Sequence, residues 1–430
     1  VNRWPNILPD DAVHRLDQLG RADLVVGIPS YNNARTIGHV VRAVQVGLAK
    51  YFPSARAVIV NSDGGSVDGT QEIVRTLTMP SVEIVLTAHP LFPIHRLTVP
   101  YHGIPGKGSA FRCIFQIVDC LGAQACAVVD SDLRSITPEW VQLLLAPIVR
   151  QEYDYVAPFY LRHKYDGTIT NTIVYPMTRA LYGERVRQPI GGDFGVAGPL
   201  AAHFLKQDVW DSDVARYGID IWMTTTAICE GFRVCQSFLG AKLHDAKDPG
   251  SDLSAMLVQV VGTVFTLMET HEAVWKKSQG SRETPIIGFP FDVGLEPVNV
   301  DLDRMFNHFK SGVANLSEVW RSVISNDDLQ SLHHLAEGSV CSFHMDDRLW
   351  ARMMYDFSVA FHRRVMDRSH LMRSTLPLYM GRVASFVKEV ASSDAADVER
   401  RLEQLCEVFE SEKDRLRRRW NEPAAAAGGA

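Results

Sequence analysis

Four short apolar runs recur before residue 130, at 24–29, 57–60, 82–86 and 125–129. Three of them run straight into polar clusters: Ser30 to Asn33, Asn61 to Gly65, and Asp130 to Asp132. Between the runs, apolar residues recur at helical spacing. Ile37, Val40, Val41 and Val44 mark one such stretch, Ile73, Val74 and Leu77 a second, and Phe115, Val118 and Leu121 a third. Short runs that are apolar throughout are strands buried on both faces, and helices between them make the strands parallel. The pattern therefore predicts an α/β fold with a mainly parallel, Rossmann-like sheet. Ligands of such sheets sit beyond the carboxyl ends of the strands, where the three polar clusters fall.

Beyond residue 250 the texture changes. Helical patterns cover 253–275, 302–324, 348–365 and 398–420. A chain of 430 residues suits two domains. We expect a catalytic α/β domain over 1–250, a helical domain or extension over 251–422, and a disordered Ala/Gly tail over 423–430. Met353, Met354, Tyr355 and Phe357 suit either a dimer face or core packing, and a homodimer or higher homo-oligomer is expected. The net charge of −6 argues against a general nucleic-acid binder. The apolar stretch 253–268 is shorter than the ~20 residues of a membrane span, so no integral membrane association is expected. The N-terminus carries no apolar leader core. Seven cysteines without a Cys-x-x-Cys pair read as reduced core residues. Together these features predict a cytoplasmic location.

Asp130 and Asp132 end a buried strand two residues apart. Two carboxylates there call for a counter-charge, which a divalent cation with a bound diphosphate would supply. The alternative is a solvated strand end with Asp132 capping a helix. Asp63 after the second strand suits ribose hydroxyls or a base N–H, or else the cap of a glycine-rich turn. Lys107, between Gly106 and Gly108, opens a helix whose positive end favours an anion. Neither the P-loop spacing nor Gly-x-Gly-x-x-Gly after the first strand is present.

Taken together, Ile28-Pro29-Ser30-Tyr31-Asn32-Asn33, Ser62-Asp63-Gly64-Gly65-Ser66 with Asp68-Gly69-Thr70, and Asp130-Ser131-Asp132 resemble the GT-A nucleotide-sugar glycosyltransferases. Gln188-Pro189-Ile190-Gly191-Gly192, Tyr217-Gly218-Ile219-Asp220 and Leu243-His244-Asp245 narrow the resemblance. It is to the retaining glucosyl-3-phosphoglycerate synthases and the related mannosylglycerate and glucosylglycerate synthases, over roughly residues 20–250.

The resemblance implies a hexosyl transfer from a nucleotide diphosphate sugar to a small hydroxy acid, with Mg²⁺ or Mn²⁺ as cofactor. Asp130, Asp132 and His244 would hold the metal. Pro29, Ser30, Tyr31, Asn33, Ser62, Asp63, Lys107 and Ser131 would bind the donor, with Gly191 and Gly192 turning beneath its sugar. Asp220, Asp193 and Lys107 would act at the reacting centre. Gly167, Thr168 and Thr170 match the acceptor loop, but Thr168 stands where 3-phosphoglycerate enzymes carry an arginine. Ala246 likewise replaces an asparagine. Arginine is suited to grip phosphate, so the two changes point to unphosphorylated glycerate. The rival reading is an inverting family 2 transferase on a lipid or polysaccharide acceptor, to which Gly192-Asp193 bears a weaker likeness. A nucleotide-sugar-binding scaffold is a third.

Overall fold

The structure is a computed structural model that describes residues 7–77, 95–100, 106–244, 253–291 and 294–422. It forms two compact units, and neither is a continuous piece of chain. The first comprises Val1–Arg162, Val186–Ala246 and Thr284–Glu296. The second comprises His163–Arg185, Lys247–Glu283 and Pro297–Ala430. The single cut expected at residue 250 is therefore corrected. Segment 163–185 joins the helical unit, and 284–296 returns to the first. The expected strand 82–86 and tail 423–430 lie outside the described residues.

The first unit is built on an eight-stranded sheet. In chain order its strands are β1 (Leu24–Ser30), β2 (Ala57–Asp63), β3 (His95–Pro100), β4 (Ala125–Val128) and β5 (Tyr155–Leu161). A short β6 (Glu184–Arg185) lies outside this sheet, in the second unit. The sheet resumes with β7 (Phe194–Ala197) and β8 (Val234–Ala241). The second unit's β9 (Arg282–Glu283) pairs with β6, and β10 (Ile286–Ile287) completes the main sheet. The spatial order is β10-β8-β5-β7-β4-β1-β2-β3. Strand β7 runs antiparallel to both β4 and β5, and every other pairing is parallel. The expected α/β class with a mostly parallel sheet is thus what the chain forms.

The buried pattern explains the strands. β1, β2, β4 and β7 are buried at every residue, as strands covered on both faces must be. The helix Ile37–Tyr51 buries Ile37, Val40, Val41 and Val44, and the helix Lys107–Cys120 buries Phe111, Ile114, Phe115 and Val118. Fully burying each such side chain contributes about 1.5–3 kcal/mol.

The second unit is mainly helical, led by Ser254–Thr270, Leu302–Arg321, Asp347–Arg363, Leu376–Glu389 and Ala395–Asn421. The four expected helices match Ser254–Thr270, Leu302–Arg321, Asp347–Arg363 and Ala395–Asn421 with ends no more than five residues away, whereas Leu376–Glu389 was not expected. Met353, Met354, Tyr355 and Phe357 are buried inside this unit, so they are core and not an open dimer face. Arg179 is also buried, against Glu403 and Glu410. No described helix is long and apolar enough to cross a membrane. All seven cysteines are free, and Cys113, Cys126, Cys235 and Cys406 are buried.

Candidate active site

Strand direction brings the chemistry together. The carboxyl ends of β1, β2, β4, β5 and β8 share one edge of the sheet, because these strands are parallel. Strand β7 is reversed and pairs Phe194 with Val128, so the residues preceding it reach that same edge. Gly191, Gly192 and Asp193 therefore stand beside Asp130, which follows β4.

A buried ionic cluster occupies this edge. Lys107 Nζ lies 2.9 Å from Asp130 Oδ1 and 3.3 Å from Asp220. Its third polar neighbour is the Gly192 carbonyl at 3.4 Å. Lys242, one residue past β8, donates to Asp130 Oδ2 and Asp193 Oδ2, each at 2.8 Å, and to the Gly191 carbonyl at 2.7 Å. The Asp130 backbone N–H donates to Asp193 Oδ1 at 2.7 Å, and the Tyr160 hydroxyl donates to Asp193 Oδ2. Two ammoniums thus face three carboxylates, leaving one negative charge in excess when all are ionised.

The electrostatics follow from that packing. Burial works against the Lys107 charge, but Asp130 and Asp220 outweigh it and hold the ammonium well above its ordinary range. Burial likewise opposes ionisation of Asp130, yet Lys107 and Lys242 hold its carboxyl well below the usual carboxylate range. For Asp193 and Asp220 burial wins, and both are pushed up.

Local backbone fixes Lys107. It is the first residue of the helix Lys107–Cys120, preceded by Gly106. Gly108 N–H bonds to the Arg216 carbonyl at 3.2 Å, and a Cβ on Gly108 would stand 1.8 Å from the Val214 carbonyl oxygen. This contact ties the helix start to the 3-10 turn Asp213–Ala215, which leads to the helix Ile219–Cys229 with Asp220 in its first turn. Gly108→Ala must separate the two backbones. It is expected to destabilise the chain by about 1–3 kcal/mol, the cost of overpacking a close contact. Urea unfolding of the variant checks this, and an unchanged midpoint would remove the argument.

The residues expected to bind the donor differ in part from expectation. Asp63 is buried, and its carboxylate already accepts from Gly65 N–H, Ser66 N–H, Gln71 Nε2, Ser30 Oγ and Ser66 Oγ, at 2.7–3.0 Å. Five internal donors fill its acceptor sites. Asp63 organises the loop instead of offering a free acceptor to ribose or base. Pro29, Ser30 and Ser62 are buried strand-end residues, whereas Tyr31 is 63% exposed. Asn33 Oδ1 accepts from Tyr31 N–H at 2.9 Å and Ser131 Oγ at 2.8 Å, tying the loop after β1 to the Asp130 segment.

The expected metal trio is not gathered as a set. Among the described residues no group of three His, Cys, Asp or Glu side chains is placed to hold a metal ion. Both Asp130 oxygens face ammoniums. Asp132 and His244 are half-buried on adjoining segments, stitched by Arg134 N–H to the Leu243 carbonyl at 2.9 Å and by Leu243 N–H to Ser135 Oγ at 3.0 Å. A carboxylate and an imidazole on those segments are donor types that a divalent cation would accept. Asp193 is 0% exposed and its oxygens are engaged, so it is a buried support and does not orient substrate hydroxyls as expected.

Gly167, Thr168 and Thr170 belong to the second unit. Thr168 is 1% exposed, and its hydroxyl hydrogen-bonds the Tyr379 hydroxyl at 2.6 Å. Its side chain serves the interior of that unit. Ala246 lies outside the described residues.

Sequence reasoning missed Lys242 and Tyr160. The signal for Lys242 was present: it is a charged residue closing a buried run, as Asp130 is.

No protein-family model matches the chain, and no curated protein matches it. Solved structures of glucosyl-3-phosphoglycerate synthase from Mycobacterium tuberculosis are similar to it. One, in complex with Mn²⁺, UDP and glucosyl-3-phosphoglycerate, is 22% identical, with 61% of this chain and 86% of that one covered and a TM-score of 0.43. A second, with Mn²⁺, UDP-glucose and phosphoglyceric acid, is 21% identical over 62% and 86%, also at 0.43. A third, with Mg²⁺ and UDP, is 21% identical over 59% and 83%, at 0.43.

Proposed function

We propose that the chain is a metal-assisted retaining hexosyltransferase. It moves glucose or mannose from a nucleotide diphosphate sugar to glycerate or a close relative. The observation that carries this reading is the ionic cluster at the carboxyl edge of the sheet. Its lysines are already matched by carboxylates, with one negative charge in excess when all are ionised. A diphosphate entering here needs further positive charge. The start of the helix Lys107–Cys120 supplies part of it. Asp132 and His244 would hold Mg²⁺ or Mn²⁺, which as a Lewis acid would neutralise charge on the departing diphosphate.

The chain's own residues do the rest. Lys107 stands at the first turn of its helix and meets negative charge as it develops on the leaving oxygen. Asp220, 3.3 Å from that ammonium, keeps it aimed and lines the donor sugar. The acceptor hydroxyl attacks from the face the diphosphate leaves, and its proton passes to the leaving phosphate oxygen. No strong protein base is then required, which agrees with the buried, engaged state of Asp193. The same state disfavours the inverting alternative, since an inverting base must reach the acceptor.

Thr168 stands in the loop that matches the acceptor loop where phosphate-gripping relatives carry arginine, and this sequence difference supports an unphosphorylated acceptor. The test is a donor-by-acceptor matrix with UDP-, GDP- and ADP-sugars, D-glycerate and 3-phosphoglycerate, and Mg²⁺ or Mn²⁺. Transfer to D-glycerate with retention at the anomeric carbon is the expected result. Strong preference for 3-phosphoglycerate would sink the argument from Thr168, and inversion would sink the mechanism.

A further inference from the structure

We infer that Lys242 is a built-in counter-cation that withholds Asp130 from the divalent metal, so that metal enters this site together with a diphosphate. The inference rests on the donor-site reading above and concerns the order in which that site fills.

An ammonium has three N–H donors. Lys242 spends all three, on Asp130, Asp193 and the Gly191 carbonyl. Its Nζ also lies 5.2 Å from the centre of the Tyr160 ring, whose hydroxyl holds Asp193. Asp193 has no exposure to water, so it keeps its counter-cation, because an unpaired buried carboxylate is costly. Lys242 is thus anchored on Asp193 and remains on Asp130. Lys107 covers the other Asp130 oxygen.

Asp130 is therefore saturated by side chains of the chain itself. That leaves Asp132 and His244 as the two metal ligands. Mg²⁺ and Mn²⁺ favour six ligands rich in oxygen, and two protein ligands hold such an ion weakly. Diphosphate oxygens make up the deficit. Lys242 touches no reacting atom in this scheme and is a positioning residue: it sets how many protein ligands the site offers before a nucleotide binds.

The test is direct Mn²⁺ binding to the full chain, read from the electron paramagnetic resonance signal of free Mn²⁺. Titrations are run alone and with UDP, GDP or ADP. Wild-type protein is expected to take up Mn²⁺ at least tenfold more tightly with one of these nucleotides than without. In Lys242→Met, nucleotide-free Mn²⁺ affinity is expected to rise at least tenfold as Asp130 joins the metal. Asp193→Asn in the same chain removes the buried charge that Lys242 neutralises, which keeps the test open if the single variant does not fold. Equal wild-type affinity with and without a bound nucleotide would overturn the inference, as would unchanged nucleotide-free affinity in a folded Lys242 variant. If none of the three nucleotides binds, the donor-site reading falls and the inference with it. If one binds while the Lys242 variants behave as wild type, only the role of Lys242 falls.

Discussion

Lys107→Met is expected to lower turnover by roughly 10²–10³-fold, the loss typical of removing one preorganised group that meets developing negative charge. Methionine keeps most of the unbranched stem but loses the ammonium, which lies 5.3 Å from the centre of the Phe111 ring. Asp130 and Asp220 lose the cation they share, and Lys242 alone remains against three carboxylates. Lys107→Arg is expected to rescue poorly, because a planar guanidinium does not reproduce the tetrahedral reach to Asp130, Asp220 and the Gly192 carbonyl. Steady-state kinetics on saturating donor give the loss in kcat, and a thermal melt reports any accompanying loss of fold. A variant that kept more than a tenth of wild-type turnover would remove Lys107 from the mechanism.

Gly192→Ala should be nearly as damaging, for a steric reason. Gly192 has φ +92°, which a side chain disfavours, and its Cβ would stand 2.2 Å from Asp130 Oδ2 and 2.8 Å from Lys242 Nζ. The backbone conformation alone costs an alanine about 1–2 kcal/mol. The clash does more, because it drives Asp130 away from both lysines. We expect a loss of activity on the order of 100-fold, as for a misplacement of about 1 Å in a catalytic group. Gly231→Ala is the control. Its φ is +80° and nothing lies within 4 Å of the added Cβ, so it carries the backbone strain without the clash. If the two variants lost activity equally, the tight fit around Gly192 would not be the cause.

How much of this was legible in the sequence depended on whether a signal was local. β1, β2 and β4 announce themselves as apolar runs, and Asp130 and Lys107 stand out because each breaks an apolar or glycine context. Four long helices of the second unit were equally plain, but Leu376–Glu389 was not expected. Strand β3 was not: His-Arg-Leu-Thr-Val-Pro is no apolar run, and its place at the sheet edge is set by pairing with β2. The reversal of β7 was invisible too, because direction is a property of the sheet. That reversal brings Asp193 against Asp130 and makes it a buried support. Asp63 read as a ligand acceptor because a sequence does not show five internal donors converging on one carboxylate. Residues 163–185 read as part of the first domain because they follow a strand of its sheet. Their partners, such as Tyr379, Glu403 and Glu410, come more than two hundred residues later.

The interrupted path of the chain also bears on its synthesis. It passes from one unit to the other after Arg162, Arg185, Ala246, Glu283 and Glu296. A ribosome delivers the chain in order, and domains ordinarily close as they emerge. Here the edge strand β10 of the first sheet is made only after two stretches of the helical unit. Arg179 is made 224 and 231 residues before the glutamates that receive it. Neither half is therefore a self-sufficient product of a partial message. A chain stopped at residue 250 would carry that arginine with no glutamate to meet it, and a sheet lacking its last strand.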